Sequence, residues 1–289
     1  MTTIATRNGG QKMAMATING VDLWYEDTGG NGPVIVLHHG YTGSHDTWTE
    51  LIAPRLKDRY RCISMDTRGA GDSGHPEGGY TISQYALDVL GLMDHLGISA
   101  FTYCGHSMGG VVGMELGINH AARLDRLILV APAPADGIDA PAAMHERSRA
   151  LREAGDRETM ISERTIMAPR EGQEERIRRA VDRALSVSEG HFEQSWEELR
   201  DSRRGDALYQ MQVPTLVIAG AADGLLPHNL LDFQRLPNAT LHVFSRVAHS
   251  VPSDVPEEFS EVVADFMEHG VVNNQTQLQK LEDAKVARI

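Results

Sequence analysis

The chain has 289 residues, with 27 Lys and Arg against 40 Asp and Glu, a formal net charge of −13. At 41% hydrophobic and 23% charged it can bury a large core, which excludes a disordered or fibrous chain. The acid excess excludes the basic face that a phosphate backbone or an anionic membrane requires, so neither nucleic acid nor membrane is an expected partner.

Met1 to Ala16 is polar and lacks the apolar core of a secretory signal, and Met13 and Met15 read as alternative starts that would make residues 1–12 dispensable. Two alternating segments between Ala16 and Glu26 flank Asn19-Gly20, the pair best suited to a type I′ turn, so a β-hairpin is predicted. Short, nearly continuous apolar runs follow at Val34 to Leu37, Cys62 to Met65, Phe101 to Cys104, Leu127 to Val130, Thr215 to Ala219 and Leu241 to Phe244. Such runs fit strands buried on both faces of a parallel sheet. Helical patterns lie between them, for example Ile82 to Leu96 and Met108 to Ile118. Together they predict an α/β fold: a mostly parallel, eight-stranded sheet with helices on both faces.

The alternation stops after Val130 and resumes at Thr215. The intervening residues 134–212 carry 13 basic residues, all Arg, and Ile177, Ala180, Val181, Ala184 and Leu185 fall on one helical face. A helical insert is therefore expected there, with the core at 1–133 and 213–270. The tail, 271–289, is expected to fray or to form a weak partner helix, in that order of preference. The longest apolar run, Leu127 to Ala133, falls short of the roughly 18 residues of a membrane span. Cys62 and Cys104 are too few for a disulfide framework, which fits a reduced, cytoplasmic protein.

The chemistry concentrates at Gly105-His106-Ser107-Met108-Gly109, a G-x-S-x-G placed between an apolar strand and a helical run. A serine on so sharp a turn is lifted clear of the sheet at the positive end of a helix, as a nucleophile requires. Its partners in such a sheet follow in the chain order acid, then histidine, each after a strand. Asp223 follows the run Thr215 to Ala219, and His249 follows Leu241 to Phe244 and precedes the last helix, Glu257 to His269. Asp136 is the other acid in a plausible place. An oxyanion needs two backbone N–H donors, expected from Met108 and from Tyr41, with Gly40 letting the chain turn.

With these pieces the chain resembles the α/β-hydrolase superfamily over about residues 16–269. The matching segments are His39-Gly40 after a strand, Asp66-Thr-Arg68-Gly69-Ala-Gly71-Asp-Ser73, Gly105 to Gly110, Asp223 and His249. The resemblance implies that Arg68 is a scaffold residue and that 134–212 is a helical cap over the active site. It also implies that the Val34 strand separates those of Cys62 and Cys104, a spacing of about twice 4.8 Å and too wide for a disulfide. Both cysteines are then core residues.

A serine nucleophile excludes the branches of that superfamily that use aspartate. No phosphate-cradling glycine motif and no metal-ligand spacing occurs, so no cofactor or metal is expected. His38 and His39, adjacent on an extended segment, point apart and cannot chelate together; His38 packs in the sheet or lines the site. The expected reaction is acyl transfer from a small-to-medium, partly apolar ester or lactone to water, with Ser107, His249 and Asp223 as the triad and Tyr41 and Met108 as the oxyanion hole. Tyr41, Met144, Met160, Met167, Phe192 and Trp196 are the candidate substrate contacts. The same triad also serves C–C bond hydrolysis of meta-cleavage diketones, cofactor-free perhydrolysis, or a ligand receptor. The sequence leaves the oligomeric state open.

Overall fold

The structure is a computed structural model, described for residues 4–6, 12–168 and 170–286. The described residues form nine strands: β1 (Ile4–Thr6), β2 (Lys12–Ile18), β3 (Val21–Asp27), β4 (Val34–His38), β5 (Arg61–Met65), β6 (Phe101–His106), β7 (Leu124–Val130), β8 (Thr215–Gly220) and β9 (Ala239–Phe244). Asn19 and Gly20 both take positive φ, 47° and 79°, as a type I′ turn demands, and Ile18 pairs with Val21 across the turn. The eight expected strands are all present. The ninth, β1, pairs antiparallel with β2, so Ile4–Thr6 extend the sheet by one strand.

The order across the sheet is β1-β2-β3-β5-β4-β6-β7-β8-β9, antiparallel up to the β3–β5 pair and parallel from β5 to β9. Successive side chains enter opposite apolar layers. Ile35, Leu37, Cys62 and Cys104 face the layer of Trp48 and Phe259, whereas Val36 and Ile63 face the layer of Tyr85 and Val111. As the resemblance implied, β4 separates the two cysteines; both are free and buried. Burial pushes the Cys62 thiol up to about 12, which leaves it protonated and unreactive.

One layer holds the helices Ile82–His95 and Met108–Asn119, the other Pro256–His269. Thr81 caps the first of these by accepting from the Gln84 amide at 3.2 Å. Arg68 is buried in a two-pronged ion pair with Asp88, both bonds 2.6 Å, and Asn19 adds a third donor to that carboxylate. It braces the hairpin against the helix Ile82–His95, the scaffold role expected of it.

Between β7 and β8 the chain leaves the sheet and forms the helices Ala142–Glu153, Arg157–Met167, Glu174–Ser186 and Glu189–Arg200, inside the predicted insert. Val181 and Ala184 of the amphipathic stripe are buried. The insert is tied to the sheet by Ser188, whose amide donates to the Gly69 carbonyl at 2.8 Å, and by the Tyr41 hydroxyl, which donates to the Phe192 carbonyl at 2.5 Å. Arg183 reaches Asp46 at 2.9 and 3.1 Å and Asp72 at 2.6 Å. The tail is helical over Asn274–Val286, so the preferred expectation of fraying gives way to a helix, one that leaves Leu278 and Leu281 half exposed. No described helix is long and apolar enough to cross a membrane.

Candidate active site

Ser107 sits between the end of β6 and the helix Met108–Asn119 with φ 55° and ψ −113°, a conformation that L-residues avoid. Such strain costs on the order of 1–3 kcal/mol and persists only where surrounding bonds impose it. Here the Ser107 amide donates to the Val130 carbonyl at 2.9 Å, and its own carbonyl accepts from the amides of Gly110 (2.9 Å) and Ala133 (3.1 Å). The flanking glycines answer a need for close approach. A Cβ on Gly105 would collide with the Gly109 carbonyl, and one on Gly109 would lie 2.7 Å from the His39 carbonyl oxygen and 2.9 Å from that of His38.

His249, on the loop after β9, brings Nε2 to 2.9 Å from Ser107 Oγ, while Nδ1 lies 2.8 Å from Asp223 Oδ2. Asp223 is fixed by a second bond, accepting from the Leu225 amide at 3.0 Å. Burial pushes the Asp223 carboxyl up, but the hydrogen bonds from His249 and Leu225 outweigh it and hold the group below the usual carboxylate range. It is an anion placed to orient the imidazole. Asp136, the rival acid, instead pairs with Arg235 at 2.6 Å and receives the Gly205 amide.

His106 was visible in the sequence only as the middle residue of G-x-S, with no role attached. Its Nε2–H donates to the His249 carbonyl at 2.8 Å, anchoring the loop that carries the histidine. Burial, reinforced by the neighbouring His249, pulls the His106 ring down to about 3, so it is a neutral, fixed donor at ordinary pH.

The loop after β4 approaches Ser107 from the other side. His39 Nδ1–H donates to the Gly40 carbonyl at 2.8 Å, its Nε2 accepts from the Thr67 amide at 3.0 Å, and the Gly43 amide also donates to Gly40 at 3.0 Å. With that carbonyl held by two donors, the N–H of the same peptide, Tyr41, is aimed the opposite way. Among the described residues neither the Tyr41 nor the Met108 amide has an acceptor. The chain turns at Gly40, whose carbonyl accepts from the Gly43 amide, but without a positive φ there. The residue is glycine because a Cβ would sit 2.9 Å from Ser107 Cβ. His38 is buried beneath, its Nδ1 2.5 Å from the Tyr103 hydroxyl, so of the two alternatives it packs in the sheet.

Ser107 and His249 open onto a cavity of about 540 Å3 bounded by the β4 loop, the His249 loop and the insert. Of the candidate substrate contacts Tyr41 and Met167 line it, joined by Trp48, Leu51, Ile177 and Pro252. Met144, Met160 and Trp196 do not. Met144 is half exposed, and Trp196 stacks on His145 with ring centroids 4.8 Å apart, inside the insert. Phe192 packs with Val187 and Ala70 where the insert meets the core. The insert presents arginines to the cavity in place of the expected methionine wall: Arg164, Arg176, Arg179 and Arg183.

Residues 33–254 match the family model of the alpha/beta hydrolase fold. The chain belongs to the α/β-hydrolase fold family. It is a hydrolase by that membership and by its relatives. It is 30% identical over 241 residues to 3-oxoadipate enol-lactonase 2 of Acinetobacter baylyi, covering 81% of this chain and 88% of that one. It is 27% identical to a putative non-heme chloroperoxidase of Synechocystis sp., over 86% of this chain and 95% of the relative. Among solved structures, the enol-lactonase from Burkholderia xenovorans LB400 superposes with a TM-score of 0.78 at 26% identity, covering 88% of this chain and 100% of that one.

Proposed function

We propose that this α/β-hydrolase is a serine hydrolase that cleaves a small-to-medium, partly apolar carboxylic ester or lactone through an acyl-enzyme on Ser107. The observation that carries the reading is the unbroken line from Ser107 Oγ through the His249 ring to Asp223, opening on one cavity. In this reading His249 takes the Ser107 proton as Oγ attacks the carbonyl carbon, and Asp223 holds the ring in the tautomer that leaves Nε2 free to accept. The negative charge that develops on the carbonyl oxygen falls to the Tyr41 and Met108 amides, assisted by the N-terminal end of the helix Met108–Asn119. His249 returns the proton to the departing alkoxide, then activates a water that clears the acyl group from Ser107. A cavity of about 540 Å3 suits a small-to-medium substrate.

The test is hydrolysis of p-nitrophenyl acetate, butyrate and octanoate by the wild type and by Ser107→Ala. Turnover by the wild type, reduced by at least about 10³-fold in the variant, is the expected outcome. Equal rates in both proteins would overturn the assignment of the nucleophile.

A further inference from the structure

The wall that the insert contributes to the cavity is basic in an otherwise acidic chain, and its four arginines are not equivalent. Arg179 gives its two terminal nitrogens to Glu50 at 2.5 and 2.9 Å, and Arg183 is committed to Asp46 and Asp72. These two clamp the insert onto the segments that follow β4 and β5. Arg164, in the last turn of Arg157–Met167, and Arg176, in the first turn of Glu174–Ser186, have neither a hydrogen bond nor an ion pair among the described residues.

The acids on the same wall do not supply the missing partner. Asp46 and Glu50 are taken by Arg183 and Arg179, and Asp223 by His249. Asp254 accepts from the Gln173 amide at 2.9 Å, forms no ion pair, and its other carboxylate oxygen is buried without a hydrogen bond. Burial pushes that carboxyl up, against the pull of Gln173 and the nearby Arg170 and Arg176, which weakens it as a counter-ion. Partial burial likewise holds Arg164 below the ordinary guanidinium range, with no anion beside it to offset the loss of water. Both guanidinia face the cavity with no partner among the described residues, and their planar fork matches a carboxylate on two bonds.

We propose that the substrate carries a carboxylate besides the bond that Ser107 attacks, and that Arg164 and Arg176 seat it. The inference rests on the ester or lactone reading and narrows it to monoesters or lactones of small dicarboxylic acids. Because the seat holds a group that does not react, it contributes binding more than transition-state stabilisation, and its effect falls on KM. The apolar residues beside it, Ile177 and Leu51, accommodate the methylenes between the two ends.

The matched pair mono-p-nitrophenyl glutarate and its neutral methyl ester isolates the charge at constant shape. The wild type should favour the acid by at least about tenfold in kcat/KM, about 1.4 kcal/mol, expressed in KM and reduced by added salt. That ratio should fall toward one in Arg164→Gln/Arg176→Gln. Calorimetric titration of Ser107→Ala with glutarate reads the same seat without turnover, and the binding should vanish when both arginines are also replaced. If both esters are hydrolysed with no preference for the acid, the anion seat is overturned and the esterase reading stands. If neither is hydrolysed yet glutarate binds through the arginines, the seat stands and the esterase reading falls. Absence of both turnover and binding overturns both.

Discussion

Gly109→Ala separates the fit of the site from the stability of the fold. A Cβ at this position would lie 2.7 Å from the His39 carbonyl oxygen and 2.9 Å from that of His38, where ordinary contact begins at 3.4 Å. The helix Met108–Asn119 must therefore retreat from the β4 loop by about 0.7 Å, and in the proposed reaction this gap is the one across which the Met108 and Tyr41 amides face the reacting carbonyl. Complete loss of one such donor costs about 2.7–4 kcal/mol of transition-state stabilisation, so a partial displacement should lower kcat by about 10- to 100-fold. The stability change should be small. Overpacking costs about 1–3 kcal/mol, but alanine in place of a helical glycine returns about 1 kcal/mol. The assay is p-nitrophenyl butyrate kinetics beside urea denaturation, with Gly78→Ala, where a Cβ meets nothing within 4 Å, as control. A folded Gly109→Ala enzyme with kcat within about threefold of wild type would refute the argument that the two amides act together across this gap.

Two further predictions concern stability. His106 and His191 are pulled down to about 3 in the fold, mainly by burial, whereas unfolded histidines titrate near 6.5. The unfolded chain thus binds the extra protons, so stability is complete above about pH 6.5 and falls below it by about 1.4 kcal/mol per pH unit for each ring. Urea titrations between about pH 5 and 7.5 should show this slope, and His191→Gln should flatten it by one proton; an unchanged slope counts against the buried neutral ring. Arg183→Leu removes the clamp to Asp46 and Asp72, partly exposed pairs worth about 1 kcal/mol in all. Hydrogen exchange should quicken in the helix Glu174–Ser186 while β6 is unaffected, and equal protection in both proteins would show that the clamp is idle.

The features legible in the sequence were those decided by local rules. Asn19-Gly20 demanded its turn, the β6–Ser107–helix junction was announced by the two glycines, and Asp223 and His249 followed because strand order fixes where each loop emerges. The cavity wall was not legible. The stripe containing Ile177 and Ala180 was evident, but which arginines remain unpaired depends on where Asp46, Glu50 and Asp72 lie, on loops more than a hundred residues away. Met144 and Trp196 were misplaced for the same reason, since composition does not say how four short helices roll against one another. β1 escaped notice because three residues carry no periodicity and owe their structure to β2 alone.

The insert departs from β7 and returns into β8, and these two strands are immediate neighbours, Val130 opposite Ile218. The strands run parallel, so whatever lies between them closes on the C-terminal end of β7 and the N-terminal end of β8, about 11 Å apart over three residues of strand rise and one strand spacing, and the entropy of closing a chain on fixed ends grows only with the logarithm of its length. The sheet is accordingly indifferent to the size of what it carries there. Ser107, Asp223 and His249 lie on other connections, so a different set of helices could be spliced in without disturbing them. On the proposed reading the arginines that seat the substrate travel with this cassette, while Ser107, Asp223 and His249 stay with the sheet.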